Sequence, residues 1–166
     1  MIDTMTRFLD GVVPQKVRWS LRKIFLPTID RLSSQPLTSA GLVISATTTL
    51  AKIGAADFYA SVAGSLVKIA AGTNMPALTG CNFSAGNFNV ACFYVDGAGT
   101  VTMLTGTQGA TLGAVKFPEP PFNKALVGFL IITYASAFTG GTTVLSTATT
   151  VYVSPLAGFD PTALTG

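Results

Sequence analysis

The apolar positions of this chain follow two different patterns, one before residue 35 and one after residue 40. Val17, Leu21, Ile24 and Phe25 fall at i, i+4, i+7 and i+8, which places them on one face of a helix. The spacing predicts a helix from about Gln15 to Leu26, with basic side chains on its flanks and its opposite face.

Prolines bound this predicted helix. Pro14 suits a helix start and Pro27 is predicted to end it, because proline lacks the N–H that a helix interior needs. Ser33-Ser34-Gln35-Pro36 has the composition of a connector. We therefore predict two parts: residues 1–35 as an N-terminal basic helical arm with its connector, and residues 36–166 as the body.

The body loses the helical period and alternates short β-prone runs with turn residues. It holds 16 of the 17 glycines and is rich in Thr, Val and Ala. Strands are predicted at Leu42–Ser45, Asp57–Val62, Leu66–Ala70, Phe88–Val95, Thr100–Leu104, Ala114–Phe117, Leu126–Tyr134, Thr142–Leu145 and Thr150–Val153.

Turn residues organise these strands. Gly64-Ser65 and the segment Asp96–Gly99 each predict a hairpin, and the prolines of Phe117–Phe122 exclude that stretch from a central strand. Strands this short and turns this frequent are typical of an antiparallel β-sandwich or jelly roll. The predicted fold class is mainly β, with a short helical arm.

Charged residues are few, and they are unevenly distributed along the chain. Charged residues make up 10% of the chain, against roughly 25% in an ordinary soluble domain. Residues 1–34 carry six basic and three acidic side chains, while the rest of the chain carries four of each. A neutral, apolar body indicates a surface covered by partners, and a basic arm indicates docking on something acidic. A solvated helix face is the alternative for the arm.

The residues that most catalytic sites need are missing. The chain has no histidine, which removes Ser-His and Cys-His pairs and the commonest metal ligand. Cys81 and Cys92 are too few for a disulfide scaffold and lack zinc spacing. We expect no enzyme activity, no catalytic, cofactor-binding or metal-binding residues, and no cofactor.

The remaining chemical motifs have simpler explanations. Gly106-Thr107-Gln108-Gly109 lacks the lysine of a phosphate-binding loop, and we interpret it as a loop that needs positive φ. The neutral body argues against nucleic-acid binding. Residues 125–159 carry no charge, but their dense apolar part is only 8 residues, too short to span a membrane. No signal peptide is recognisable, and the cysteine usage suits assembly in a reducing cytoplasm.

The predicted helix needs a partner, because an isolated helix of ~12 residues is marginal in water. It fits against its own body, a neighbouring subunit or an acidic capsid surface; an anionic membrane is a third option, for which it is short. The predicted partner-binding residues are Arg18, Trp19, Arg22, Lys23 and Phe25.

Several segments of the body share one pattern of strands and turns: Phe93–Thr102, Gly106–Leu112, Val115–Pro118, Lys124–Ile132, Gly140–Thr143 and Gly158–Pro161. This pattern resembles one that recurs in tailed-bacteriophage virion structural proteins. The resemblance covers roughly residues 50–161 and excludes the arm.

The resemblance implies a head-decoration (cement) or head-fibre protein, often a homotrimer, on the virion capsid surface. Its partners would be the major capsid protein or neighbouring virion subunits. It carries no catalytic motif and therefore transfers no residue roles.

Three functions follow as hypotheses. The first is a capsid cement or decoration protein that stabilises the head. The second is a receptor- or glycan-binding module of a phage fibre or tail, acting through loops at Thr105–Gly113 or Ala137–Gly141. The third is a hydrolase dependent on Asp96 or Asp160.

Overall fold

The computed structural model describes residues 25, 26 and 28–156, and this part of the chain is mainly β, with antiparallel sheets and few helical residues. Residues 25–26 and 28–33 are helical, and we call residues 28–33 α1. A short 3₁₀ helix spans Leu112–Ala114. The strands are β1 Gln35–Pro36, β2 Val43–Ile44, β3 Ala51–Lys52, β4 Phe58–Val62, β5 Ser65–Ile69, β6 Phe88–Asp96, β7 Val101–Thr105, β8 Lys124–Thr133 and β9 Thr149–Val153.

The described strands form three sheets. The largest has four strands in the order β7-β6-β8-β9, the second has the order β1-β4-β5, and β2 pairs with β3 alone. Every strand pair is antiparallel. β6 and β8 occupy the centre of the large sheet because both are long, nearly uninterrupted apolar runs, which suit burial on both faces.

The two faces of the large sheet contribute to different apolar clusters. On one face, Phe93 and Leu130 join a core that includes Phe58 and Val62 of β4, so the large sheet and the three-stranded sheet share this core. On the other face, Phe129 joins a smaller cluster with Val90, Cys92, Tyr94, Val115 and Leu126. The segment between β7 and β8 covers part of this second face.

The predicted hairpin at Asp96–Gly99 is confirmed. Val95 pairs with Val101 across the turn, and Oδ1 of Asp96 accepts hydrogen bonds from the N–H groups of Ala98 and Thr100, both at 3.0 Å. Inside the turn these N–H groups donate to the carboxylate and not to a facing strand, which is why aspartate suits this position.

The predicted hairpin between β4 and β5 is also present, one residue earlier than expected. Val62 pairs with Ser65, so the turn residues are Ala63 and Gly64 rather than Gly64 and Ser65. Both have positive φ, 49° and 83°, as a two-residue turn that follows the strand twist requires. The sequence obscured this turn because alanine seldom adopts that conformation.

Two predicted strands are wrong. The predicted strand Ala114–Phe117 begins on the last residue of the 3₁₀ helix and contributes only an isolated bridge between Lys116 and Thr107. Thr142–Leu145 is a turn, in which the N–H groups of Thr142 and Thr143 both donate to the carbonyl of Thr139. In both places the hydrogen bonds of a local turn determined the backbone conformation, although the side chains favour a strand.

The helical boundary and the connector also differ from expectation. Residues 28–33 are helical although Pro27 was predicted to end the helix. The predicted connector contains the last residue of α1 and the whole of β1. Pro36 is tolerated because β1 is an edge strand, where a missing N–H breaks no ladder on its outer side. Residues 1–24 lie outside the described residues, so the two-part division stays a prediction.

The loop glycines at 106 and 109 do not have positive φ, so that interpretation was wrong. They are required by close packing instead. A Cβ on Gly109 would lie 2.6 Å from the carbonyl carbon of Ala114, and a Cβ on Gly106 would collide with the carbonyl oxygen of Lys116 and with Val90. Any side chain at either position would push the loop off the sheet.

Candidate partner-binding surface

The structure describes one of the five predicted partner-binding residues. Arg18, Trp19, Arg22 and Lys23 lie outside the described residues. Phe25 is helical, and its side chain is 41% exposed. A phenylalanine this exposed is available to a partner.

Asp30 of α1 fixes the base of the arm to the start of β8. Its Oδ1 accepts a hydrogen bond from the N–H of Asn123 at 3.0 Å and another from the hydroxyl of Ser34 at 3.4 Å. Asn123 has a φ of 54°, a conformation that asparagine tolerates better than most residues. The carboxylate therefore joins two segments that are far apart in sequence.

The end of α1 is fixed to the β4–β5 hairpin as well. The carbonyl of Ser33 accepts hydrogen bonds from the hydroxyl of Ser61 at 2.9 Å and from the N–H of Gly64 at 3.3 Å. The hydroxyl of Ser34 accepts one from the N–H of Ala63 at 3.1 Å. With the pairing of β1 to β4, these bonds set the direction in which the chain enters the body.

Large apolar side chains are exposed around this anchor. Leu32 is 70% exposed and lies seven residues after Phe25. Phe122, 61% exposed, directly precedes the asparagine that binds Asp30. We call the following exposed residues the arm-base patch: Phe25, Leu26, Leu32, Leu37 and Phe122. All five lie within residues 25–37 or directly before Asn123, and exposed apolar side chains are candidates for contact with a partner.

The sequence pointed to Phe25 but not to the rest of the arm-base patch. The seven-residue spacing from Phe25 could have indicated Leu32, since such residues share a helix face. Leu37 and Phe122 follow no period. Phe122 is brought near α1 because the N–H of Asn123 is bonded to Asp30, whereas Leu37 directly follows β1.

Charged side chains on the body serve structural contacts. Lys68 and Asp57 form an ion pair at 2.7 Å, and the Lys68 ammonium lies 5.9 Å from the Tyr59 ring centroid. The hydrogen bond from Lys68, with a further one from the N–H of Ala71, holds the pKa of Asp57 below its usual value. These two charges are paired with each other at the surface of the three-stranded sheet.

The structure describes one of the two carboxylates named for a hydrolase. Asp96 is occupied by the turn that it closes. Asp160 lies outside the described residues. Within residues 28–156, no three Cys, Asp or Glu side chains form a group that could hold a metal ion.

The two loops named for receptor or glycan binding differ in character. Residues 107–114 are exposed except Gly109, and the bridges Thr107–Lys116 and Phe88–Gly109 hold them in a defined shape. The Ala137–Gly141 segment is instead anchored by Phe138, which is buried and stacks on Phe83 with ring centroids 4.9 Å apart. Only the first of the two loops offers a broad exposed surface.

Both cysteines are buried and reduced, and we expect them to be unreactive in the native protein. Burial raises the pKa of Cys92 to about 12, partly offset by a hydrogen bond with Tyr94, and burial also raises the pKa of Cys81. The thiolate is the reactive form, so a thiol reagent at mildly alkaline pH should label neither residue until the protein unfolds. Rapid labelling of folded protein, followed by mass spectrometry, would contradict this burial.

No helix in the described part of the chain has the length and apolar character needed to cross a bilayer. The chain matches no protein-family model, no curated protein and no solved structure.

Proposed function

We propose that this chain is a non-enzymatic virion structural protein, a capsid cement or decoration protein that binds the major capsid protein and stabilises the head. The observation that carries the proposal is the arm-base patch. Its exposed apolar side chains lie at the end of the predicted basic, amphipathic arm, next to a body with little charge.

The arm and its base suit docking on an acidic protein surface. Arg18, Arg22 and Lys23 would meet acidic groups, while Trp19 and Phe25 would fill apolar pockets, the combination found at binding hot spots. The bonds made by Asp30, Ser33 and Ser34 would transmit the attachment to the body. An arm whose base is bonded to the body would lose less freedom on binding than a tail without such bonds.

The body would carry most of the mechanical force at the contact. We propose that its antiparallel sheets form a β-sandwich or jelly roll, and that copies associate as a homotrimer on the capsid surface after assembly in the host cytoplasm. Specific interfaces bury on the order of 1,200 Å² or more, and binding to the folded state stabilises it by mass action. Repeated contacts of this size would oppose the internal pressure of a filled head.

Heat resistance of particles tests the proposal. Particles lacking the protein should lose their genome at a lower temperature than complete particles, and adding purified protein back should restore the difference. Adding back protein without residues 1–24 is the matched control and should restore nothing. Equal heat resistance with and without the protein would rule out a cement role.

A receptor- or glycan-binding module is the second candidate. The observation in its favour is the exposed, shape-fixed loop of residues 107–114. Residues 28–166 alone should then bind host cells or a glycan array, and changes in Gln108 or Thr111 should weaken that binding. The cement proposal predicts no such binding.

A further inference from the structure

Proline dominates the segment that leads from the 3₁₀ helix into β8. Three of the six residues from Phe117 to Phe122 are proline, and residues 117–121 belong to no helix, strand or turn. Each ring fixes φ at about −65°, and a proline also holds the residue before it in extended backbone. The second restriction acts on Phe117, Glu119 and Pro120. The segment is therefore strongly biased towards the polyproline II conformation, which has about three residues per turn.

The exposure of these residues follows the same three-residue period. Glu119 and Phe122 are both exposed, Phe122 to 61%. Phe117 instead packs on the body, where its ring meets Phe129 edge-on with the centroids 5.1 Å apart. The three prolines are half-buried. One edge of the segment thus rests on the large sheet and another faces outward. We call residues 118–122 the proline ridge.

The backbone of the proline ridge is rich in hydrogen-bond acceptors that are not used inside the body. Within residues 28–156, no hydrogen bond reaches the backbone of residues 117–122. Because proline has no N–H, residues 118–122 carry five carbonyl oxygens but only the N–H groups of Glu119 and Phe122. A protein that binds the ridge must therefore supply donors rather than acceptors.

Both ends of the proline ridge are held in place. The N–H groups of Lys116 and Thr107 each donate to the carbonyl of the other, at 3.3 and 2.9 Å. At the far end the N–H of Asn123 donates to Oδ1 of Asp30 at 3.0 Å. A segment restrained by its own prolines and fixed at both ends loses little conformational freedom when it binds, which favours recognition in its existing shape.

We propose that the proline ridge docks into a groove of a partner protein that is lined by tryptophan and tyrosine side chains. Aromatic rings pack against proline rings, and the indole N–H and phenol O–H donate to the carbonyls of the ridge. Pro118 and Pro121 lie one turn apart and would occupy successive pockets of the groove. Phe122 also belongs to the arm-base patch, so the ridge extends that surface. The proposal does not depend on a capsid role.

The described body offers no groove of this kind, which argues for a different protein rather than a second copy. The single tryptophan, Trp19, lies outside the described residues. Tyr94 is buried, and Tyr134 and Tyr152 pack against the core that the two sheets share. Tyr59 has a lysine ammonium 5.9 Å from its ring centroid. No two of these rings are left exposed side by side in the described part of the chain.

Binding to domains that carry such grooves tests the proposal. A panel of SH3, WW and EVH1 domains, whose aromatic-lined grooves accept proline-rich segments, is the probe for the full-length protein. At least one domain should bind, and Pro118→Ala and Pro121→Ala should each raise its dissociation constant by about tenfold. Pro76→Ala replaces a half-buried proline outside the ridge and should leave the dissociation constant unchanged. Thermal melts should show all three variants folded.

Nuclear magnetic resonance tests the same surface on the wild-type protein, without any substitution. N-acetyl-tryptophanamide, which carries the ring and the donor of the proposed groove, is the probe. The largest chemical-shift changes should fall on residues 118–122 and exceed those of Leu66, an apolar residue on β5 that is 69% exposed.

Any of three results would overturn the proposal. The first is a panel in which no domain binds. The second is binding that the Pro118→Ala, Pro121→Ala and Pro76→Ala variants change equally. The third is binding gained only after deletion of residues 1–24, since the ridge would then be covered by the arm of the same chain. Each of these results leaves the capsid proposal standing, because that proposal is tested by heat resistance of particles.

Discussion

Deletion of residues 1–24 should abolish binding to capsids while the body stays folded. The deletion removes Arg18, Trp19, Arg22 and Lys23, but it leaves Asp30 and the serines that fix α1 to the body. Each aromatic or arginine anchor at a binding hot spot contributes ~2 kcal/mol or more of binding free energy. Losing the whole cluster should therefore weaken binding by at least a hundredfold. Co-sedimentation with capsids lacking the protein would measure the loss.

Single substitutions sharpen this test. Phe25→Ser should weaken capsid binding by roughly tenfold, because it removes one apolar contact of the arm-base patch. Leu66→Ser removes a similarly exposed apolar side chain on β5 and serves as the matched control. Capsid binding that survives deletion of residues 1–24 would show that the attachment site lies on the body and not on the arm.

Gly140→Ala should destabilise the body by about 3 kcal/mol or more. Its new Cβ would collide with the carbonyl oxygen of Leu78, and would lie 2.8 Å from the carbonyl carbon of that residue and 3.0 Å from the carbonyl oxygen of Cys81. These are backbone atoms near the buried Leu78 and Cys81 side chains, so they cannot move aside as a flexible side chain would. The stacked pair Phe83–Phe138 nearby should shift with them.

Gly113→Ala is the control for this prediction. A Cβ there would meet no atom within 4 Å, and neither glycine has positive φ. The two changes therefore differ only in the room available to the new methyl group. Urea denaturation should show the Gly113→Ala free energy of unfolding within ~0.5 kcal/mol of wild type. Equal free energies of unfolding for the two variants would show that the contact at Gly140 is not tight.

The central strands were predictable because the residues that specify them are neighbours in the sequence. β6 and β8 are long apolar runs bounded by turn residues, and the Asp96 turn carries its own hydrogen bonds. The smallest elements were not predictable. β1 and β3 have two residues each, too few for a period, and they exist because β4 and β2 lie beside them.

The candidate surface was predictable in part for the same reason. Phe25 follows the helical spacing of its own segment, whereas Phe122 is brought near α1 by the long-range bond from Asn123 to Asp30. The position of β9 at an edge of the large sheet could not be recognised from sequence, because it depends on strand order in that sheet. The roles of Gly106 and Gly140 likewise depend on segments that approach them from elsewhere in the chain.

The most direct test of the capsid role is a cryo-electron microscopy map of the native particle. We expect density for the β-body at repeated positions on the outer surface of the head, with the segment near residues 15–26 seated on the major capsid protein. A map that places the protein only in a tail or fibre, or that shows the arm away from any capsid subunit, would contradict the cement role.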